Sequence, residues 1–190
     1  MVEVFIVSAA RTPIAAFQGG LARVTAPHLG AAAIRGAIRR AGIEGERVEA
    51  VWMGNVLTSG VGQAPARQAT LHAGLPQHAR ATTVGKVCGS GLEAILLATR
   101  ALQLGEYGVA VAGGMESMSN APYLLTKARS GYRMGNGELV DAMLEDGLTD
   151  PYGRFHMGEA GEASARELGV SRAEQDAFAR SSYERARARS

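Results

Sequence analysis

The chain contains a single cysteine, Cys88, among its 190 residues. That count excludes an intrachain disulfide and any multi-cysteine metal site, and it agrees with a reducing compartment. Net charge is also sparse, +2 at pH 7, which is too small for nucleic acid to be a main ligand. Much of the basic excess sits in the closing stretch SSYERARARS, which reads as a solvated helix face. No window approaches the roughly 20 apolar residues that span a bilayer. The opening MVEVFIVSAARTP lacks a basic n-region, and its apolar run is too short for a signal sequence. Repeats at solenoid periods and low-complexity tracts are absent too. The expectation is a soluble cytoplasmic protein with neither nucleic acid nor membrane as partner.

What the chain does contain is core material, with 46% hydrophobic and 20% charged residues, and its length fits one ordinary domain or one domain with a sizeable insertion. Val2–Ser8 alternates and is rich in β-branched residues, so it predicts a strand that ends before Pro13. Pro27–Ala41 predicts a helix, its apolar face built from Leu29, Ala33, Ile34, Ala37, Ile38 and Ala41, with Gly42 as stop. Val48–Leu57 and Ala81–Val87 predict further strands, with a short helix from Pro65 to His72 between them. Gly89–Leu104 predicts a helix that is apolar nearly all round and therefore buried. Gly108–Gly113 predicts a fourth strand, almost wholly apolar, as expected when both faces of a parallel strand are covered. Alternation of strand and helix predicts a mostly parallel α/β layer with helices on both faces. From 121 to 158 the texture shifts to Gly, Met and isolated charges, which reads as a long excursion from the sheet. Ser171 and Glu174 have the spacing of a capping box that opens a last helix.

Cys88 lies at the corner between a predicted strand and an apolar helix, in VGKVCGSGL. Unpaired N–H groups at a helix start favour a thiolate and can receive a developing oxyanion. Gly89 and Gly91 remove side chains that would crowd an incoming acyl group. On these residues alone two readings stand, a presented nucleophile and a small buried hydrophobe. Met115, Met118, Met134, Met143 and Met157 read as gap fillers rather than a metal set. Glu116 reads as a hydrogen-bonded structural carboxylate. GVGQAPARQ lacks the Gly-Lys-Ser/Thr ending of a phosphate loop.

VCGSGLEAI, followed by VAGGMESMSNAPY, resembles the thiolase family, the acetyl-CoA C-acetyltransferases and 3-ketoacyl-CoA thiolases. SAARTPIAAFQGG, GQAPARQA and DGLTDPYGRFHMGEAGE extend the resemblance in order along essentially the whole chain. It implies that Cys88 accepts the acyl group of an acyl-CoA, with its backbone N–H helping to hold the oxyanion. The acyl-enzyme then condenses with acetyl-CoA to a 3-ketoacyl-CoA, or the reverse thiolysis runs. Leu148, His156 and Met157 match the segment that lines the pantetheine and acyl pocket. Residues from Tyr123 to Asp141 match a loop used in tetramer assembly. Coenzyme A is substrate and product, and no cofactor is implied. The partners implied are acyl-CoA or CoA and further copies of the chain, as a homo-oligomer (dimer or tetramer).

The resemblance also marks what this sequence lacks. Thiolases are two similar α/β halves, and residues 1–120 resemble the first half, with 121–190 as part of the inserted loop domain. The Gly-His-Pro histidine, the second cysteine and the Asn-Glu-Ala-Phe segment of the C-terminal half are not in the sequence. Gly85 stands where many thiolases have asparagine. The expectation is a fragment of a longer enzyme, its end ERARARS falling in mid-helix, or one half of a split enzyme. Either way it is expected to be inactive without the C-terminal half. A decarboxylating 3-ketoacyl synthase of the same fold, or a non-catalytic acyl-CoA-binding or oligomerisation fragment, is the alternative.

Overall fold

In the computed structural model, residues 2–188 are described. By its internal contacts the chain divides into two compact units, one ending at Gly147 and one starting at Leu148. The first unit is built on three parallel strands of five residues: β1 (Ala50–Gly54), β2 (Arg80–Val84) and β3 (Ala110–Gly114). Their order across the sheet is β2-β1-β3. β1 is central, with Ala50 in register with Arg80 on one side and Ala110 on the other.

Three helices cover this sheet. The first, α1 (Ala26–Ala41), starts with proline in its first turn, where no N–H is needed. It stops at Gly42, whose φ of 65° lets its N–H reach back to Arg39 and Ile38 carbonyls. The second, α2 (Pro65–His72), links β1 to β2, and α3 (Ser90–Gln103) links β2 to β3. These two links run in opposite directions across the sheet. Crossovers of one hand therefore place α2 and α3 on opposite faces. The side chains agree: Val51 and Met53 share a buried cluster with Ile34, Ala66, Ala69 and Met115. Gly54, one position on and so facing the other way, lies against Ser90 and Gly91 of α3.

Polar clips close both ends of the strands. At the start, the Glu49 carboxylate accepts the N–H groups of Gly108 and Val109, tying the entry of β3 to that of β1. At the far end, the Glu116 carboxylate accepts Asn55 Nδ2 (2.6 Å), Val56 N–H (2.8 Å) and Leu57 N–H (3.0 Å). That is the structural role its sequence context predicts. A two-residue antiparallel pair, β4 (Tyr123–Leu124) with β5 (Val140–Asp141), and a π-helix over Leu144–Leu148 punctuate the excursion.

Two expectations fail. Val2–Ser8 forms no strand; Phe5, Ile6 and Val7 are exposed. Among the described residues its backbone pairing is limited to Val2 N–H donating to the Gln103 carbonyl at 3.4 Å. A strand is defined by its ladder, and neither sheet offers this segment one. Nor is α3 buried all round: Ala94, Ala98 and Ala101 are covered, while Leu92 is 64% exposed and Ile95 and Leu96 about 40% exposed. No helix among the described residues is long and apolar enough to cross a membrane.

Two predictions follow from this packing. A Cβ at Gly54 would lie 2.7 Å from Gly91 N and from the Ser90 carbonyl carbon, both immovable backbone atoms. Gly54→Ala is therefore expected to destabilise the fold by about 1–3 kcal/mol, read as a lower urea midpoint. The Glu49 carboxyl is held below the usual carboxylate range, chiefly by the Gly108 N–H, then by that of Val109. A lowered carboxylate contributes stability above its unfolded-state value of about 4.3 and loses it as pH falls through the folded value. The stability gap between wild type and Glu49→Gln should be present at neutral pH and close progressively in acid.

Candidate active site

The main candidate is the turn from β2 into α3. β2 ends at Val84, Gly85 to Gly89 make the turn, and α3 begins at Ser90 with Gly89 as its N-cap. Cys88 thus stands one residue ahead of the cap and is exposed, which removes the reading of a small buried hydrophobe. It lies at the C-terminal edge of a parallel sheet, the edge at which open α/β layers bind ligands.

The turn is held from three sides. Backbone bonds run from Gly89 N–H to the Lys86 carbonyl and from Ser90 N–H to the Val87 carbonyl, both 3.0 Å. The Ser90 hydroxyl accepts Lys86 N–H and donates to the Val87 carbonyl, each at 2.7 Å. Outside, Lys86 Nζ meets Glu93 Oε2 at 2.6 Å, with Arg100 at 3.7 Å from Oε1. The hydrogen bond from Lys86 is the main reason that the Glu93 carboxyl is lowered below its ordinary range.

Val87 has φ 47°. A β-branched side chain in the left-handed region is strained by about 1–3 kcal/mol, and such residues gather at functional sites. Nothing in the sequence announces it, because valine is among the residues least suited to that conformation. Ser90 was equally unmarked, although a serine two residues after the cysteine, at a helix start, carries a hydroxyl in reach of the turn. Among the glycines around the turn, packing demands only Gly54, whose Cβ would lie 2.7 Å from Gly91 N; a Cβ on Gly89, Gly91 or Gly114 would make ordinary contacts of 3.4–3.8 Å.

The other three candidates belong to the second unit. Leu148 is half-buried, and His156 and Met157 are exposed. Thr149 and His156 form an antiparallel bridge around a tight turn, so Leu148 and His156 flank the same short loop. Asp150 shapes that loop, accepting Tyr152 N–H with its carboxylate and Arg154 N–H with its carbonyl, while its own N–H reaches the Phe155 carbonyl.

His156 is also the N-cap of α4 (Met157–Glu167), a helix that the sequence pattern does not announce. Its Nδ1 accepts Gly158 N–H at 2.9 Å, and Glu159 reaches back to the His156 N–H. An acceptor nitrogen carries no proton, so the neutral ring has its proton on Nε2, free to donate. The capping box was missed because histidine takes the place of the usual serine or threonine. The predicted box at Ser171 and Glu174 does open α5 (Arg172–Arg187).

A parallel α/β layer that presents one exposed cysteine from a strained strand-to-helix turn is an α/β domain with a free thiol at the end of its strands. Residues 4–190 match the family described as thiolase, N-terminal domain, and the chain belongs to that family. It is 53% identical over 186 residues to the mitochondrial acetyl-CoA acetyltransferase of Xenopus tropicalis, covering 98% of this chain and 44% of that protein. The acetyl-CoA acetyltransferase of Cupriavidus necator is 51% identical over 188 residues, covering 99% and 48%. The mitochondrial acetyl-CoA acetyltransferase of Mus musculus is 53% identical over 185 residues, covering 97% and 43%. The chain spans less than half the length of these relatives.

Gly85 needs no special backbone angle, and a Cβ there would meet open space. Gly85→Ala is accordingly expected to stabilise the fold by about 0.4–1 kcal/mol through the unfolded state, read as a raised urea midpoint.

Proposed function

We propose that this chain carries the nucleophile of a thiolase-type acyltransferase, with Cys88 as the acyl-accepting group. The observation that carries this reading is the exposed Cys88 sulfur, held at a helix start on the ligand-binding edge of the sheet. The Cys88 thiolate attacks the thioester carbonyl carbon of an acyl-CoA, and the bond from that carbon to the CoA sulfur breaks. The acyl group stays on Cys88 Sγ and CoA leaves as its thiolate. A second acetyl-CoA, after loss of its α-proton, attacks the acyl-Cys88 carbonyl and expels the Cys88 thiolate, giving a 3-ketoacyl-CoA. Thiolysis is the same sequence in reverse, and ping-pong kinetics follow from the covalent intermediate.

In this reading Leu148, His156 and Met157 contact the substrate, with His156 donating from Nε2. Support comes from the loop that Leu148 and His156 share and from the names of the relatives. The thiolase resemblance assigns the α-proton to a second cysteine and the activation of Cys88 to a Gly-His-Pro histidine, and neither is in this sequence. The N-terminal half would then work with a C-terminal half, in a cytoplasmic homo-oligomer assembled partly through Tyr123–Asp141. CoA is substrate and product, and no cofactor takes part.

Incubation with acetyl-CoA followed by intact-mass measurement tests the central step. Transfer of an acetyl group adds about 42 Da in an acyl-enzyme mechanism, and Cys88→Ala should remove the gain. Binding without acylation would instead favour a non-catalytic acyl-CoA-binding role, and condensation that depends on a malonyl thioester would favour the decarboxylating synthase. The 190-residue chain alone is expected to show no condensing or thiolytic turnover in a CoA-release assay. Turnover that Cys88→Ala abolishes would show instead that the chain is self-sufficient.

A further inference from the structure

Ser90 is buried at 3% exposure, yet its hydroxyl spends both of its bonds on the turn that contains Cys88. It takes the N–H on one side of Val87 and gives its proton to the carbonyl of Val87 itself. The Val87 carbonyl therefore receives two donors, the Ser90 N–H and the Ser90 hydroxyl. The Val87 side chain is 55% exposed, so burial does not hold this residue in its left-handed conformation. What holds it is this pair of hydrogen bonds. Ser90 can act as a fixed post because its Cβ is pressed against Gly54 of β1, while the next residue, Gly91, sits against Gly114 of β3.

We propose that Ser90 is a positioning residue for Cys88: its buried hydroxyl locks Val87 left-handed, and that lock turns Cys88 outward at the edge of the sheet. Cys88 would lose this presentation if Val87 relaxed to an ordinary negative φ, even with α3 and the sheet intact. The role rests on Cys88 being the nucleophile, but its geometry can be tested without any acyl-CoA.

The experiment measures two things on the 190-residue chain. One is the iodoacetamide alkylation rate of Cys88 by intact mass, and the other is backbone hydrogen exchange by peptide mass spectrometry. Ser90→Ala is expected to speed exchange within residues 85–91 about tenfold, with peptides from α1 and β1 unchanged. It should also slow alkylation by about threefold or more, because Cys88 is no longer held outward. Glycine adopts the left-handed region without strain, so Val87→Gly added to Ser90→Ala should restore both readings to within about twofold of wild type. A residue that served only packing would not be rescued in this way, because a second truncation would loosen the turn further. Val87→Gly alone should melt no lower than wild type. The proposal is overturned if Ser90→Ala changes neither reading, if it speeds exchange throughout the chain, or if Val87→Gly fails to rescue. Should Ser90→Ala not fold, a clear drop in melting temperature with Val87→Gly alone overturns it, and an unchanged or raised one supports it. Acetylation of the wild type, measured alongside, separates the two ideas: a mass gain lost in Cys88→Ala supports the acyltransferase reading, whereas the rescue, which needs no acyl-CoA, decides the positioning role whatever the acetylation result.

Discussion

The close approach of α3 to the ends of β1 and β3 governs the rest of the first unit. It is made of glycine: Gly54 lies against the backbone of Ser90 and Gly91, and Gly91 against Gly114. A helix normally stands off a sheet by the thickness of its side chains. Here the first turn of α3 meets the strand ends with little side chain between, so a helix start, two strand ends and one cysteine share a small volume. Interiors pack at crystal-like density, and at Gly54 this contact tolerates almost no added volume. The Cys88 turn inherits its rigidity from that seat.

From this seat the polar groups fall into an order. Glu49 and Glu116 bind the two ends of the strand set by accepting backbone N–H groups that would otherwise lack partners. Ser90 does the same for the turn, using one buried hydroxyl in both directions. The exposed Lys86–Glu93 pair lies outside the turn and is screened by solvent, so it adds a guide rather than a lock. Strain at Val87 is sustained because the surrounding hydrogen bonds over-determine its backbone. In the second unit, histidine takes up a helix cap, and the cap in turn decides which ring nitrogen bears the proton.

Much of this was legible in the chain beforehand. Pro65 and His72 bound α2 as expected, Gly42 ends α1, and the Ser171–Glu174 spacing opens α5. The three strands of the parallel sheet lie inside their predicted ranges to within a residue or so. These features depend on local chemistry: a ring without an N–H, a residue free to take positive φ, an acceptor three positions before a donor. Val2–Ser8 had the alternation of a strand but found no ladder, and periodicity says nothing about whether a neighbour is present. α3 had apolar residues all round, yet only its alanine face is covered in this unit. The α4 helix was hidden because His156 takes the place of a hydroxyl residue in its capping box.

By itself, then, the sequence determined the parallel α/β alternation, membership of the thiolase N-terminal family, and the one cysteine available as nucleophile. Those properties are carried by residue identity and near-neighbour spacing. Only the tertiary structure decided that Cys88 is exposed, that Val87 is left-handed beside it, and that Ser90 holds the turn. It also decided that His156 spends Nδ1 on a cap. Exposure, strain and hydrogen-bond partnership are relations between groups, several of them far apart in the chain, and they exist only once the sheet has brought Gly54, Ser90, Gly91 and Gly114 together.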